Sequence, residues 1–235
     1  LLPPMRSTLL FSATMPSEIK KLAEKFLLNP KEITVARPST TAETITQGLL
    51  LLDLPKNQKL GADQKRKREA LRTLIKRENP GNALIFCNRK RDVDIVHRSL
   101  NRHGYEAARL HGDMPQSTRM ETLTKFKTGA VRFLVCSDVA ARGLDIPEMS
   151  HVFNYDVPTH AEDYIHRIGR TGRAGNLGHA LTIALKTDDN YIDAIERVIK
   201  TPIPRIVLDG LIIQEPTSLA GKDIERSPSE GDGAR

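Results

Sequence analysis

The stretch ALIFCNRKRDVDIVHRSL, residues 83–100, contains two different hydrophobic patterns in succession. Residues 83–87 form a short continuous apolar run, which is typical of a buried strand. From about residue 90 to residue 103, Val93, Val96 and Leu100 recur at the spacing of one helix face. The stretch therefore predicts a buried strand followed by an amphipathic helix that packs against it.

The alternation of strand and helix continues along the chain. Further strands are predicted at EAARL (106–110), RFLVC (132–136), HVFNY (151–155) and HALTIAL (179–185), and a helix begins near Thr118. The last predicted helix, 188–200, places on one face Tyr191, Ile192, Ile195, Val198 and Ile199. Strands that alternate with helices predict an α/β fold, in which helices flank a parallel sheet.

Two further segments precede this alternation. The nearer one has a predicted strand at TITQGLLLLDL (44–54) and a basic helix at about 64–78, joined by a loop. The other has a predicted strand at STLLFSAT (7–14) and a helix at PSEIKKLAEKFL (16–27), which Asn29-Pro30 ends. The stretch ARPSTTAET (36–44) between the two segments is rich in Pro, Ser and Thr, which favours a linker.

Composition narrows the class of protein. The 235 residues are 39% hydrophobic and 28% charged, an ordinary balance for a soluble domain, and no apolar run is long enough for a membrane helix. Lys and Arg number 36 against 29 Asp and Glu, and the resulting charge of +7 suits a nucleic-acid partner without requiring one. Aromatic residues make up only 4%, which disfavours modules that stack bases on aromatic side chains.

The cysteines and the first residues of the chain are also informative. Cys87 and Cys136 lie far apart inside apolar runs, so we expect reduced core residues rather than a disulfide or a metal pair. The start, LLPPMRSTLLF, lacks an initiator Met and is typical of a cut inside a larger protein. The absence of a targeting signal is therefore weak support for a cytoplasmic location.

Polar clusters follow three of the predicted strands. NRK (88–90) follows ALIFC, HGD (111–113) follows EAARL, and SD (137–138) follows RFLVC. In open parallel sheets, ligands bind beyond the carboxyl ends of the strands, so the three clusters together indicate a binding site. Taken one at a time, each cluster is equally well explained as a polar turn.

Arg119 lies at the predicted start of a helix. Thr118 is a candidate N-cap, and Glu121, three residues on, would complete a capping box. An arginine in the first turn of a helix, beside free backbone N–H groups, suits a phosphate ligand. The alternative is an ordinary solvated arginine on the surface.

The stretch YIHRIGRTGRAG, residues 164–175, repeats arginine and glycine at every third position. The glycines Gly169, Gly172 and Gly175 disfavour a continuous helix, and the repeated arginines make an anion site or a basic surface patch. Several other chemistries are excluded because their motifs are absent: the phosphate loop GxxxxGK followed by Ser or Thr, the dinucleotide fingerprint GxGxxG, and the motifs GxSxG, HExxH and CxxC.

Five stretches, read in order, resemble a known family. They are SAT (12–14), LIFCNRK (84–90), LHGDMPQSTRMETLTKFKTG (110–129), LVCSDVAARGLDIP (134–147) and YIHRIGRTGRAG (164–175). Their order and spacing resemble the DEAD-box ATP-dependent RNA helicases, nearest to the bacterial RhlE-like group. The resemblance runs from residue 1 to about 212, which is most of the chain.

The resemblance implies a fold and a domain organisation. It implies a RecA-like sheet of the P-loop NTPase type, here the second helicase domain. Residues 1–36 would be the end of the ATP-binding first domain, 37–44 a linker, 45–214 the C-terminal RecA-like domain, and 215–235 a flexible tail. The phosphate loop and the DEAD sequence are missing, so Mg²⁺ would be held by the missing N-terminal domain, which is also the implied partner.

The resemblance also implies roles toward ATP. Arg170 and Arg173 would be arginine fingers on the γ-phosphate of ATP bound by the N-terminal domain. His166 would hydrogen-bond across the cleft between the domains, and Asp145 would contact the ribose. Arg167 is expected to be structural, and Arg142 to order its own loop.

The roles implied toward RNA concern its sugar–phosphate backbone. The contacts would be made by Arg119, Ser137, Gly112, Asp113 and Asn88, with Gln116 bracing Arg119. Ser137 stands where the family usually has Thr, and either hydroxyl can donate to a phosphate. Ser12 and Thr14 would couple ATP hydrolysis to unwinding. Binding of this kind is mostly independent of base sequence and weakens with salt.

Two other functions are alternatives to the C-terminal half of a helicase. A stand-alone RNA-binding module without catalysis explains the charge, Arg119 and Ser137, but not the spaced arginines with Asp145. Another α/β nucleotide enzyme, such as a dehydrogenase, lacks its glycine fingerprint. No membrane association is expected.

Overall fold

The structure is a computed structural model that describes residues 3, 6–12, 15, 17–33, 44–52, 61–141, 149–173 and 175–208. In chain order its elements are α1 (Ser17–Phe26), β1 (Ile45–Leu52), α2 (Ala62–Glu78), β2 (Ala83–Phe86), α3 (Lys90–Arg102), β3 (Ala107–Leu110), α4 (Gln116–Lys127), β4 (Phe133–Cys136), α5 (Asp138–Ala141), β5 (His151–Asn154), α6 (Ala161–Ile168), β6 (Gly178–Leu185) and α7 (Asp189–Ile199). A 3₁₀ turn, Lys186–Asp188, precedes α7. The strands and helices predicted between β1 and α7 are present, and only α5 and α6 were not predicted.

The strands form one sheet in the order β1-β6-β5-β2-β4-β3, and each pair of neighbours in it is parallel. Parallel neighbours need a crossover connection, which the helices between the strands supply. The predicted α/β fold with a parallel sheet flanked by helices is confirmed. Because the strands are parallel, their carboxyl ends share one edge, called the carboxyl edge below, and their amino ends share the opposite amino edge.

The apolar strands are buried because the sheet is covered on both faces. In β2, Ile85 packs into one core cluster with α2 and α3, whereas its neighbours Leu84 and Phe86 pack into another with α4. Successive side chains of a strand point to opposite faces, so a continuous apolar run is required here. Cys87 and Cys136 are fully buried and free, as predicted.

The last helix buries a narrower face than predicted. Ile192, Ile195 and Ile199 pack into a third core cluster, but Tyr191 and Val198 remain exposed. The predicted inward positions of Tyr191 and Val198 are therefore wrong. The reason is geometric, since the apolar residues of α7 span a wider arc than the surface it packs against.

The segment before β1 is exposed in its described part. Helix α1 forms as predicted and ends at Phe26, and Asn29, three residues on, has a positive φ of 43°, but no residue of α1 is buried. Residues 7–12 of the predicted strand STLLFSAT are exposed and form no strand, so that prediction is wrong for them. A strand needs a hydrogen-bonded neighbour, and the described sheet holds none from this segment.

The linker and tail predictions concern residues that are mostly outside the described ranges. Residues 37–43 and 215–235 lie outside them, while Thr44 is bonded to the domain: its hydroxyl donates to Gly172 O at 2.8 Å, and its carbonyl accepts from Gly178 N–H at 2.9 Å. Among the described residues, no helix has the length and apolarity needed to cross a bilayer.

Candidate functional site

The three polar clusters meet at the carboxyl edge. Strands β2, β4 and β3 are adjacent in the sheet, so NRK, SD and HGD follow neighbouring strand ends. The ladder continues just beyond the strands, where Cys87 N–H donates to Cys136 O at 2.9 Å and Ser137 N–H to Leu110 O at 3.3 Å. These bonds hold the bases of the clusters together, as the sequence predicted.

Arg167 is the centre of a buried polar network beside these clusters. Its side chain is 1% exposed, and its Nε and Nη2 donate to the two carboxylate oxygens of Asp138 at 2.7 Å each. Nη2 also donates to Asn88 Oδ1, and Nη1 to the carbonyl of Asp156, both at 2.7 Å. A guanidinium with paired donors in a dry environment fixes the position of its helix. The structural role predicted for Arg167 is confirmed.

The network extends to Lys67, which sequence reasoning missed. Lys67 is 3% exposed and its Nζ lies 2.5 Å from Asp156 Oδ1, while Asp156 Oδ2 accepts from Asn88 N–H at 3.1 Å. The sequence predicts the segment that carries Lys67 only as a basic helix at about 64–78. Lys67 lies among other lysines and arginines, and nothing in that run distinguishes the buried cation from the solvated ones.

The arginine and glycine stretch divides into a helix and a turn. Helix α6 ends at Gly169, and Gly172 and Gly175 adopt positive φ values of 67° and 85°. A Cβ on Gly172 would lie 2.5 Å from the side chain of Ile45, so glycine is required there for both reasons. The hydroxyl of Thr171 lies within hydrogen-bond distance of the carbonyls of Met149 and Ser150 and anchors the turn there. The repeat is therefore a capped helix followed by a tight, anchored turn.

Arg170 and Arg173 lie on that turn. Arg170 is half-buried, and burial lowers its pKa, with repulsion from Arg173 adding to the effect. Arg173 is exposed and its Nε donates to Gly169 O at 2.5 Å. Despite this shift, Arg170 stays charged, because an arginine side chain is not deprotonated in proteins. Two guanidinium groups held near each other favour an incoming anion.

His166 shares a shallow cleft with Arg170. His166 lies in the last turn of α6 and is half-exposed. The cleft is lined by Phe86, Asp138, Ala141, Asp163, His166, Arg167 and Arg170. The structure thus brings together His166 and Arg170, two of the four residues predicted to act on ATP, while Arg173 follows on the same turn. Asp145, predicted to contact the ribose, and Arg142 lie outside the described residues.

Arg119 is placed differently from the prediction. Helix α4 begins at Gln116 with Pro115 as its N-cap, and no side chain caps it. Proline starts a helix readily because it lacks the N–H that would be left unpaired, and this moves the start upstream of Thr118. Glu121 pairs with Lys125 at 2.7 Å instead of completing a capping box. The capping box at Thr118 is therefore wrong.

The surroundings of Arg119 still leave a donor available. Its Nη1 donates to Gln116 Oε1 at 3.2 Å, which is the bracing contact expected of Gln116. Its backbone N–H is used by Pro115 O at 3.0 Å, so the helix start offers no free amide at this position. Nε of Arg119 is buried and has no hydrogen-bond partner among the described residues. An unpaired buried donor is costly, and an acceptor from a ligand would satisfy it.

The remaining predicted RNA contacts have different environments. Asp113 pairs with Lys90 at 2.7 Å, and this hydrogen bond lowers the pKa of the Asp113 carboxyl. The amide of Asn88 is occupied at both ends, since its Nδ2 donates to Val157 O at 2.8 Å and its Oδ1 accepts from Arg167. Ser137 is half-buried and precedes α5, and its carbonyl accepts from the N–H groups of Ala140 and Ala141 in that helix.

Gly112 and the coupling residues complete the predicted set. Gly112 is exposed, and nothing in the described structure lies within 4 Å of the position its Cβ would take. The chain's own packing therefore does not require glycine here. Ser12 is exposed on the segment before α1, and Thr14 lies outside the described residues.

Comparison with known proteins gives consistent matches. Residues 66–175 match the family described as Helicase conserved C-terminal domain. The chain is 42% identical over 204 residues to the DEAD-box ATP-dependent RNA helicase CshA of Bacillus licheniformis, covering 87% of this chain and 40% of that protein. CshA of Bacillus subtilis is also 42% identical, with 39% of its length covered. The chain thus spans about two fifths of the length of these curated relatives.

Solved structures of similar fold agree with these relatives. The E. coli DEAD-box protein SrmB, solved with regulator of ribonuclease activity A, has a TM-score of 0.65 at 33% identity, covering 79% of this chain and 98% of that chain. S. cerevisiae Dbp5 bound to RNA and ADP BeF3 has a TM-score of 0.72 at 29% identity, covering 83% of this chain and 50% of that one.

Proposed function

This chain belongs to the DEAD-box protein family, with the fold of its C-terminal RecA-like helicase domain, and we propose that it is the C-terminal half of an ATP-dependent RNA helicase. In this function it binds the backbone of RNA and completes an ATPase site whose other half is an N-terminal RecA-like domain. The CshA relatives are named ATP-dependent RNA helicases, and the Dbp5 structure contains RNA and ADP BeF3, which supports both ligands. The narrower assignment to the RhlE-like group stays a prediction.

The observation that carries the proposal is the setting of Arg170. The ion pairs of the described residues do not include Arg170, although it is half-buried and its neighbour Arg167 is fully paired. Burial and the nearby Arg173 both lower its pKa, so the charged form is destabilised until an anion arrives. A γ-phosphate is such an anion, and an arginine that reaches it stabilises the charge that builds in the transition state.

The proposed mechanism gives each residue of the ATP site a separate role. Arg167 fixes the end of α6 through Asp138, so that the turn after Gly169 presents Arg170 and Arg173 in a constant geometry. His166, one helical turn before Arg170, hydrogen-bonds across the domain cleft and links hydrolysis to closure. Asp145 contacts the ribose. ATP supplies the phosphoryl group, and water is its acceptor.

The carboxylates at this edge are poor candidates for Mg²⁺. Both carboxylate oxygens of Asp138 accept a hydrogen bond from Arg167, whose positive charge neutralises the carboxylate and makes it a weak ligand for a second cation. Asp113 is paired with Lys90 at 2.7 Å. We therefore assign Mg²⁺ to the N-terminal domain, together with the water-activating acids.

RNA binding is assigned to the strand ends and the start of α4. The buried Nε of Arg119 lacks a partner in the described structure, and Gln116 holds the guanidinium in place. Gly112 lets a phosphate approach closely, with the amide of Gly112 or Asp113 as a donor. Ser137 donates its hydroxyl to an RNA phosphate. The side-chain amide of Asn88 is already hydrogen-bonded, so Asn88 acts by holding the end of β2 in place beside the RNA. Ser12 and Thr14 couple the two ligands.

The alternative, an RNA-binding module without catalysis, leaves Arg170 unexplained. Such a module needs Arg119, Ser137 and the net charge of +7, but not a second cationic turn fixed by a buried network. A cytoplasmic location stays a prediction.

The test measures phosphate release and RNA affinity in parallel. The chain alone is expected to show no RNA-stimulated ATPase, and a chimera with the N-terminal domain of Bacillus subtilis CshA is expected to gain it. In the chimera, Arg170→Ala should lower kcat by roughly 10³-fold or more while RNA affinity changes little. Arg102→Ala, an exposed arginine at the end of α3, is the matched control and should leave both unchanged.

Two results would contradict the proposal. The first is phosphate release by the chain alone that depends on Arg170. The second is a chimera in which Arg170→Ala and Arg102→Ala have equal ATPase activity, because Arg170 would then have no role in phosphoryl transfer. RNA binding without any ATPase in an otherwise folded chimera supports the alternative module.

A further inference from the structure

Three potential metal ligands lie together at the amino edge, on the side of the sheet opposite the proposed ATP and RNA site. Glu78 is the last residue of α2, His151 is the first residue of β5, and His179 lies at the start of β6. Strands β5 and β6 pair with His151 directly opposite His179. One ligand atom from each of the three residues lies within 4.8 Å of the others. We call these residues the histidine cluster.

Hydrogen bonds determine which nitrogen of His151 carries the proton. The hydroxyl of Ser150 lies 2.6 Å from the carbonyl of Asn82, and only the hydroxyl can donate in that pair. Having used its one proton, Ser150 Oγ can only accept from His151 Nδ1, which lies 3.0 Å away. Nδ1 is therefore protonated, and Nε2 carries the lone pair in the neutral ring. A second hydrogen bond of this kind is typical of histidines that bind metals.

The lone pair of His151 Nε2 faces another acceptor. Glu78 Oε2 lies 3.9 Å from it, while Arg77 binds the other carboxylate oxygen, Oε1, at 2.8 Å. Two acceptors that face each other at the edge of the core are unfavourable unless a proton or a metal ion lies between them. A metal ion placed between Nε2 of His151 and Oε2 of Glu78 would satisfy both acceptors.

His179 supplies a third donor on the same side. Its ring stacks on the His151 ring with centroids 4.7 Å apart and an angle of 10° between the planes. Ligand atoms around a tetrahedral Zn²⁺ are about 3.3–3.5 Å apart, given bond lengths of about 2.0–2.1 Å. The 3.9 Å gap between His151 and Glu78 needs to close by only about half an ångström, and side-chain rotation of Glu78 and His179 can supply the rest.

We propose that Glu78, His151 and His179 bind one divalent transition-metal ion of the zinc class, with water in the fourth position. Two imidazoles and one carboxylate suit Zn²⁺, Co²⁺, Ni²⁺ or Cu²⁺, whereas Mg²⁺ and Ca²⁺ prefer all-oxygen sites. The ion would join the end of α2 to two adjacent strands, and so stabilise the folded domain. Because the histidine cluster and the ATP site lie at opposite edges, the two proposals stand or fall separately.

The experiment titrates Zn²⁺ into the untagged chain after removal of metals with a chelator. Binding is followed by calorimetry, and by the visible absorption of Co²⁺, which is intense only in a four-coordinate site. We expect one ion per chain, a Co²⁺ spectrum of the four-coordinate type, and a higher melting temperature with Zn²⁺. His179→Gln, which alters a half-buried side chain, should weaken binding by about tenfold or more, on the scale known for changes at metal sites.

The controls separate loss of a ligand from loss of structure. His103→Gln changes an exposed histidine at the end of α3 and should bind Zn²⁺ as the unchanged chain does. Glu78→Gln should also weaken binding while the circular dichroism spectrum stays native. Absence of stoichiometric Zn²⁺ binding, or equal affinity in the His179→Gln, Glu78→Gln and His103→Gln variants, would overturn the proposal.

Discussion

Replacement of Arg167 by methionine tests whether the buried network holds the site together. Arg167→Met keeps most of the side-chain length and apolar contact but removes every donor. Asp138 then loses two hydrogen bonds of 2.7 Å, and Asn88 Oδ1 and the Asp156 carbonyl lose one each. The acceptors left behind lie beside the core, where water replaces the lost donors poorly.

The expected cost follows from the burial of the two charges. Removal of one partner from a buried ion pair costs about 3–5 kcal/mol, because the other charge is left uncompensated. Arg167 is 1% exposed, but the side chain of Asp138 is 21% exposed, so water reaches the carboxylate in part. We therefore expect a loss of about 3 kcal/mol in the free energy of unfolding, at the low end of that range.

The chain offers a matched surface pair as a control. Arg109 and Asp94 form an Arg–Asp ion pair through a single contact, with side chains that are 44% and 31% exposed. Exposed pairs contribute about 0.2–1 kcal/mol, so Arg109→Met should cost less than about 1 kcal/mol. Urea unfolding, followed by circular dichroism, distinguishes the two variants. The unfolding free energy of a small protein falls by about 1–3 kcal/mol per molar urea, so a loss of about 3 kcal/mol lowers the midpoint urea concentration by about 1–3 M.

A double variant identifies the source of the loss. Arg167→Met combined with Asp138→Leu should be clearly more stable than the sum of the two single changes predicts, by about 2 kcal/mol, because the uncompensated charge is gone. Equal losses for Arg167→Met and Arg109→Met, or strict additivity in the double variant, would refute the argument that burial makes this pair essential.

Further predictions concern glycines and cysteines. Gly178→Ala should lower the free energy of unfolding by about 1–3 kcal/mol, because the new Cβ would lie 2.2 Å from Thr171 Oγ1. The Cβ added in Gly112→Ala has free space, so the free energy of unfolding should change by less than about 0.5 kcal/mol. The same variant should weaken RNA binding, and an unchanged RNA affinity would show that Gly112 is not part of the RNA interface. Burial raises the pKa of Cys87 and of Cys136, so a thiol reagent at pH 8 should label neither until denaturant is added.

The fold was largely predictable because its signals are local. Strands β2 and β4 are continuous apolar runs, and α3 and α7 carry apolar residues at helical spacing, so the alternation in the sequence indicates the parallel sheet. The predictions that failed concern one helix start and one helix face. Pro115 starts α4 before Thr118 can cap it, and Tyr191 and Val198 extend an apolar face beyond the surface that α7 covers.

The site was predictable only in part because its support is not local. The motifs indicate which strand ends meet, but Arg167 is bonded to Asp138 and Asn88, which lie 29 and 79 positions away. Lys67 and Asp156 are 89 positions apart. No spacing in one sequence marks such pairs. The histidine cluster was missed for the same reason, since it depends on the register of β5 against β6.

Arg167, Arg170 and Arg173 are evenly spaced in the sequence but lie in different surroundings, and the backbone conformation explains the difference. Gly169 ends the helix between the first arginine and the second, so Arg167 points into the network while the other two lie on the turn. The charge of Arg167 is neutralised by Asp138, and its side chain is too buried to reach a ligand. In the proposed function, Arg170 and Arg173 are therefore the two arginines that would contact a phosphate. The third arginine holds the turn in place, and a variant of Arg167 should impair catalysis only through the position of Arg170.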